Sequence, residues 1–367
     1  MASSVSITAS SLSPPRHTVI IGGGIVGAST LYYAAKNPIR GKSSPPSRLT
    51  LIEASSELAP GASGKSGGFL ALDWHGTATS SLAELSYRLH REIAKEGNGG
   101  ERWGYRAVET LQVNIDTTKS RSKCPKELNW VDPSIVTSTS TLGSSDTTAQ
   151  VTPKHLVEYM VEAALKHDGV EARLATAATS LDLDDQGKVR GLRVRNPQGQ
   201  DDYIECDCIV VAAGPWTGSL LNSLLPGDSS NKVLAQMIRK GKTIDGSRAH
   251  SIVVRGTRPT TEHCLFTDMK YVPKNSAEKH AKLVEQIRVI SPEILGESAT
   301  IEKEQACYLP GGSFNGPLID GSSEHGLYIA AGHTCWGITL GPGTGLVMAE
   351  MIFEGKALSA DVDMLKA

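Results

Sequence analysis

The residues best suited to chemistry near the start of this 367-residue chain are three glycines, Gly22, Gly24 and Gly27, in the run HTVIIGGGIVG that begins at His17. Their G-x-G-x-x-G spacing follows the β-branched Val19, Ile20 and Ile21 and precedes a stretch from Ala28 to Lys36 with no helix breaker. That is the order of a strand, a tight turn and a helix that together hold a pyrophosphate. Gly22 permits the turn, Gly24 lets the backbone approach phosphate oxygens, and Gly27 lets the helix pack on the strand. Free N–H groups at the helix start then face the negative charge. A second apolar run, Leu49 to Ile52, ends in Glu53, whose carboxylate can accept hydrogen bonds from both hydroxyls of a ribose and would repel a 2′-phosphate. These residues together point to dinucleotide binding.

Three further stretches carry suitable residue types. Ala59 to Gly68 is rich in Gly, Ala and Ser, so its backbone can wrap closely around a polar ligand, and it lies where the rest of a dinucleotide would extend beyond Glu53. Cys206 to Gly218, CDCIVVAAGPWTG, reads as a buried strand ending in Ala212, Ala213 and Gly214, small residues that permit close passage of a ligand. Trp216 in that stretch faces either the ligand or a domain boundary. Near the C-terminus, Gly326 to His333 reads as a strand that delivers His333, and the glycine-rich turn from Gly337 to Gly345 opens a helix through Phe353. The N-terminus of that helix carries partial positive charge and free N–H groups. Arg239, Arg255 and Arg258 are cations that could meet a carboxylate or simply be solvated.

The elements that must position these residues are also legible in part. Leu82, Leu85, Leu89 and Ile93 form a helical stripe, with His90 beside it and expected at the surface. Gly104 to Ile115 reads as a strand of a second sheet, and Thr117 to Gln150 as loop around a short element at Trp130. A helix opens with Thr152 as N-cap and Pro153 at its first position, burying Leu156, Tyr159, Met160, Ala163 and Leu165. Val170 to Leu174, Ala178 to Leu183 and Val189 to Val194 follow as a meander, and Asn37 to Arg48 reads as a surface insertion.

Composition excludes several classes. A net charge of -2 gives no case for nucleic acid or an acidic membrane surface. Six scattered cysteines without a C-x-x-C pair suggest neither a metal site nor a disulfide framework, so a reduced, cytoplasmic setting is expected. No apolar run approaches the roughly 18 to 20 residues of a membrane span, so a soluble protein is expected. Residues 1–15, rich in Ser and Pro, read as a disordered leader, with a transit peptide as the competing reading.

Taken together, VIIGGGIVGAST, LIEA from Leu51 and GASGKSGG from Gly61 resemble the D-amino-acid oxidase type of FAD-dependent oxidoreductase, the superfamily of glycine, sarcosine and fructosyl-amino-acid oxidases. The resemblance implies an α/β fold: a discontinuous Rossmann-like FAD-binding domain (16–80, 151–222 and 310–358) and an antiparallel-sheet substrate domain (81–150 and 223–309). It further implies that Ile25, Val26 and Ala54 join the glycines and Glu53 around FAD. Ser63, Gly64, Ser66, Gly67 and Gly68 would lie beside the diphosphate and flavin, and Ala177 or Ala178 at the adenine. Ala213 and Gly214 would lie against the diphosphate with Trp216 near the flavin. Gly332, His333, Gly337, Ile338, Thr339 and Leu340 would sit at the flavin, whose reduced anion the helix dipole stabilises. Cys307 matches a cysteine that bonds covalently to the flavin in some members; a buried free thiol is the other reading.

The activity so implied is oxidation of the C–N bond of a small amine or amino acid by hydride transfer to flavin, with oxygen or another acceptor closing the cycle and no protein acid or base demanded. A dehydrogenase of the same fold, an NAD(P)-binding enzyme, and an impaired flavoprotein with a partner-binding role are the alternatives. The last follows from a departure between Leu220 and Thr300: relatives place a pair of long strands joined by a Gly-containing turn there. In this sequence Phe266 to Lys270 runs almost directly into a helical pattern from Asn275 to Ile290, which implies a shortened substrate sheet.

Overall fold

The computed structural model describes residues 14–42, 45–119, 123–227, 231–271 and 279–367, so the expected leader lies outside it except for Pro14 and Pro15. In chain order β1 (His17–Ile21), α1 (Ile25–Lys36) and β2 (Arg48–Ile52) form the first strand–helix–strand unit. Next come α2 (Ala62–Lys65), β3 (Phe69–Ala71), α3 (Thr77–Gly97), α4 (Gly99–Arg102), β4 (Arg106–Ala107) and β5 (Glu109–Asp116). They are followed by β6 (Val136–Gly143), β7 (Thr148–Gln150), α5 (Pro153–Ala164) and β8 (Val170–Arg173). β9 (Ala177–Leu183), β10 (Val189–Arg195), β11 (Asp201–Glu205), β12 (Cys208–Val211), α6 (Thr217–Leu224) and α7 (Lys232–Lys242) fill the middle. The chain ends with β13 (Asp245–Arg255), β14 (His263–Lys270), α8 (Lys279–Ile290), β15 (Thr300–Gly311), β16 (Leu318–Ser322), β17 (Leu327–Ala331) and α9 (Gly337–Glu354).

The central sheet has the order β16-β17-β12-β1-β2-β8, parallel except for β16. Alternation of side chains explains how it is covered on both faces. Ile20, Leu51, Val210 and Ala330 face α1, α3, α5 and α9, whereas Val19, Ile21, Ile209, Val211 and Ile329 face the meander β9–β11 with α6 and α7. The fold is α/β, with a Rossmann-like sheet joined to antiparallel sheets and to the sheet β14-β5-β6, in which β5 pairs antiparallel with β6 and parallel with β14.

Several readings of the sequence are corrected. The polar stretch Thr117 to Gln150 holds two strands, β6 and β7, because Ser and Thr suit the half-exposed face on which β6 lies against β5. β8 pairs parallel with β2 in the central sheet, and β11 supplies the third strand of the meander. Thr152 stands at the N-cap of α5 without a side-chain cap bond, and Leu165 is 44% exposed just beyond that helix. Arg40, within the presumed surface insertion, is buried and donates from Nε to the Ser47 carbonyl at 2.8 Å. The pair of long strands is present: β13 and β15 run antiparallel from Asp245 opposite Gly311 to Arg255 opposite Thr300. They escape a search for a hairpin because β14, which pairs parallel with β5, and α8 stand between them in the chain.

The C-terminal helix also differs from expectation. α9 begins at Gly337, so Gly341-Pro342-Gly343-Thr344-Gly345 lies inside it. Those glycines serve packing: a Cβ on Gly341 would come within 2.5 Å of Ile25 Cγ1, and one on Gly345 would overlap Ser29, so α9 can lie close on α1 only with these residues.

Candidate functional site

A cavity of about 770 Å³ runs along the carboxyl ends of β1, β2, β12 and β17, the usual ligand position in an open α/β sheet. At its first end Gly22 has φ +122°, and a Cβ there would overlap the Ala212 carbonyl oxygen; β1 and β12 therefore turn together only around glycine. The N–H of Ile25, at the start of α1, donates to Ser63 Oγ at 3.0 Å, which ties α2 to the helix start. Glu53 Oε2 accepts from the Gly23 N–H and Oε1 from the Ser55 N–H, each at 2.8 Å. These two bonds aim the carboxylate into the cavity it lines. Trp216, 52% exposed, lies over Gly61, where a Cβ would meet its ring at 3.0 Å.

The second end is built by β15, α2 and the start of α9. Lys65 Nζ donates to the Ala306 carbonyl at 3.0 Å, while its own carbonyl accepts from Ser251 Oγ at 3.2 Å and Gln305 Nε2 at 3.3 Å. These bonds fasten α2 to the β13–β15 pair. Cys307 lines the same wall, its thiol pushed up by burial, with the nearby Lys65 ammonium acting in the other direction. Among the described lining residues Lys65 is the one lysine or arginine and Glu53 the one carboxylate.

His333 ends the turn after β17. It is buried, and burial lowers its pKa to about 4, so the ring is neutral at pH 7. Thr344 Oγ1 donates its one proton to the Leu340 carbonyl at 2.9 Å and so accepts from His333 Nε2–H at 2.9 Å. His90 is not at the surface: it is 1% exposed, with Nε2 2.8 Å from the Ile338 carbonyl, and burial lowers its pKa to about 4.

Of the residues singled out in the sequence, the cavity is lined by Gly22, Gly24, Ile25, Val26, Glu53, Ala54, Ser63, Ser66, Ala178, Ala213, Gly214, Trp216, Cys307, Gly332, His333, Gly337 and Ile338. Gly27, Gly64, Gly67, Gly68, Thr339 and Leu340 are not part of its lining. A Cβ on Gly27 would overlap the Gly22 carbonyl, one on Gly64 that of Ala59, and one on Gly68 that of Val151. The Gly67 carbonyl accepts from Gln150, Thr339 Oγ1 donates to the Phe69 carbonyl, and Leu340 is in the core. Arg255 and Arg258 line a separate cleft with α8. Lys65, Thr176, Tyr308 and Cys335 line the cavity without having been singled out. Lys65 at least was signalled, as the one charge within GASGKSGG.

The donor set fits an adenine–flavin dinucleotide: the start of α1, whose first turn holds no acidic residue, a carboxylate at the ribose end, and alanines and glycines along the walls. Among the described residues no group of three or more His, Cys, Asp or Glu could hold a metal, and no helix is long and apolar enough to cross a membrane.

Comparison with known proteins gives the following. Residues 17–351 match the model of the DAO family, described as FAD dependent oxidoreductase. A Schizosaccharomyces pombe protein named only as an oxidoreductase is 33% identical over 386 residues, spanning 96% of this chain and 98% of its own. TDA3 of Saccharomyces cerevisiae, also named as an oxidoreductase, is 23% identical over 517 residues, spanning 95% and 94%. Among solved structures, glycine oxidase from Geobacillus kaustophilus superposes with TM-score 0.72 at 18% identity, covering 96% of this chain and 98% of that one. L-proline dehydrogenase from P. horikoshii superposes with TM-score 0.72 at 17% identity, covering 97% of each.

Proposed function

The chain belongs to the DAO family of FAD-dependent oxidoreductases, with FAD as cofactor, and from that premise we propose that it oxidises the C–N bond of a small amine or amino acid. The observation that supports the reading is that one cavity is lined both by the dinucleotide turn with Glu53 and by the Lys65 ammonium, the neutral His333 and the start of α9. Bound FAD supplies a hydride acceptor and a route for electrons to oxygen or another acceptor. Glu53 and the start of α1 hold the adenosine and diphosphate portions. N–H groups in the first turn of α9 have no partner within the helix, and this turn lines the cavity through Gly337 and Ile338, where it would stabilise negative charge on the reduced cofactor. Lys65 is placed to pair with a substrate carboxylate. His333, its Nε2–H committed to Thr344, orients α9 and moves no proton. The division into FAD-binding segments 16–80, 151–222 and 310–358 and substrate segments 81–150 and 223–309 is part of the same proposal.

Mixing the FAD-loaded protein with amines and amino acids without oxygen tests it. The flavin's visible absorbance should bleach with one class of them, and no bleaching across the panel would overturn the reading. Peroxide released on admitting air marks an oxidase, and bleaching without peroxide a dehydrogenase.

Lys65→Gln should raise KM for a carboxylate-bearing substrate by roughly tenfold or more, the effect of losing a charged hydrogen bond, and leave that for the matching amine unchanged. Equal effects on both would remove Lys65 from substrate recognition. Acid precipitation should release FAD into the supernatant, because burial holds Cys307 in its less nucleophilic thiol form. A yellow pellet would instead show the covalent bond.

A further inference from the structure

We infer that Ser86 and His90, both on α3, set the direction in which the first turn of α9 points at bound FAD, which makes His90 a positioning residue; this rests on the proposed placement of the flavin end beside Gly337 and Ile338. The reason lies in Pro342, inside α9. Proline has no N–H, so the Ile338 carbonyl four residues earlier loses its helical donor. His90 Nε2 lies 2.8 Å from that carbonyl. A carbonyl only accepts, so Nε2 carries the proton and the ring is the neutral Nε2–H tautomer.

The next rung is interrupted as well. In a regular helix the Gly343 N–H would donate to the Thr339 carbonyl. Here it donates to Ser86 Oγ at 2.9 Å, and Ser86 Oγ donates its single proton to the Thr339 carbonyl at 2.6 Å. The serine hydroxyl is thus inserted into the ladder of α9. Ser86 and His90 stand four residues apart on one face of α3, so a single helix supplies two successive rungs that α9 cannot make for itself. The N-terminal turn beyond this break lines the cavity through Gly337 and Ile338. Its orientation is therefore set from α3, and with it the field of the helix end at the cofactor.

A packing role alone would not select this histidine. His90 is fully buried, and its Nδ1 has no partner among the described residues. That costs free energy which leucine at the same place would avoid. Thr344 and His333 make a second tie at the same turn, 2.9 Å apart, so the α3 brace works against a fixed point.

The test is the reduction potential of protein-bound FAD, measured against redox dyes, which needs no substrate and stands whether or not an amine is the reductant. His90→Leu should shift the potential to more negative values and weaken FAD binding by about tenfold. His90→Gln, whose amide N–H reaches the same carbonyl, should return both toward wild type. An unchanged potential in His90→Leu with FAD bound overturns the inference. If that variant does not fold, Ser86→Ala, which removes one oxygen, carries the same test: a negative shift supports the brace and an unchanged potential overturns it. If neither variant holds FAD, rescue of binding by His90→Gln supports it, and loss of FAD in His90→Gln too overturns it.

Discussion

Gly22→Ala should give a protein that purifies without flavin absorbance and does not take up added FAD. Two effects act at this position. The backbone is at φ +122°, which an L side chain rarely adopts, and this strain costs roughly 1–3 kcal/mol. The new Cβ would also overlap the carbonyl oxygen of Ala212, a backbone atom of the neighbouring strand that no rotamer change can move. Relief must therefore separate the ends of β1 and β12, the two strands whose termini form the floor of the cavity. If the combined cost is near 3 kcal/mol, FAD affinity falls by more than about a hundredfold. Gly199→Ala is the control. It too has a positive φ, +76°, yet a Cβ there meets nothing within 4 Å, and it lies in the turn between β10 and β11. It should lose stability of the order of 1 kcal/mol and keep its flavin. The flavin-to-protein absorbance ratio, with thermal unfolding of both variants, distinguishes the outcomes. Stoichiometric flavin in Gly22→Ala would show that β1 and β12 can part without loss of the cradle.

The contrast between what could and could not be read from the sequence has a physical pattern. β1, β2 and β12 are legible because they are buried, Arg48 apart, and each carries apolar residues toward both faces: Val19 to Ile21, Leu49 with Leu51 and Ile52, and Ile209 to Val211. The dinucleotide turn is legible because its glycines answer to backbone geometry within a few residues of one another. β6, VTSTSTLG, and β13, DGSRAHSIVVR, carry many polar residues because both are only partly buried, and neither shows clean alternation. The pairing of β13 with β15 closes over the intervening β14 and α8, and no local pattern marks it. His90 is the clearest instance. Its place beside an apolar stripe suggested solvent, but its partner is a carbonyl 248 residues away, freed by a proline whose helical surroundings were read as a turn.

Acid should destabilise the fold through His90 and His333, the two most deeply buried of its histidines among the described residues. Burial lowers the pKa of His90 and of His333 from 6.5 to about 4, and no carboxylate partner opposes it at either site. In the unfolded chain both rings return to about 6.5. Between pH 6.5 and about 4 the unfolded state therefore binds more protons than the folded one, so stability falls as pH is lowered through this window and is flat above it. At pH 5 each ring contributes a loss of about 2 kcal/mol. Carboxylates whose pKa is depressed in the folded state, such as Glu171, held by Thr50 and Arg173, lose their contribution only at lower pH, near and below their unfolded value of 4.5. His90→Gln separates the terms: it keeps a donor for the Ile338 carbonyl and removes one titrating ring. Thermal unfolding at pH 7.5 and pH 5 should show a smaller fall in Tm for His90→Gln than for the wild type, with the difference corresponding to about 2 kcal/mol. Equal falls would mean that His90 takes up its proton in the folded state. The Ile338 carbonyl would then face a cation directly behind the turn of α9 that borders the cavity, and the potential of bound FAD would have to rise as pH is lowered.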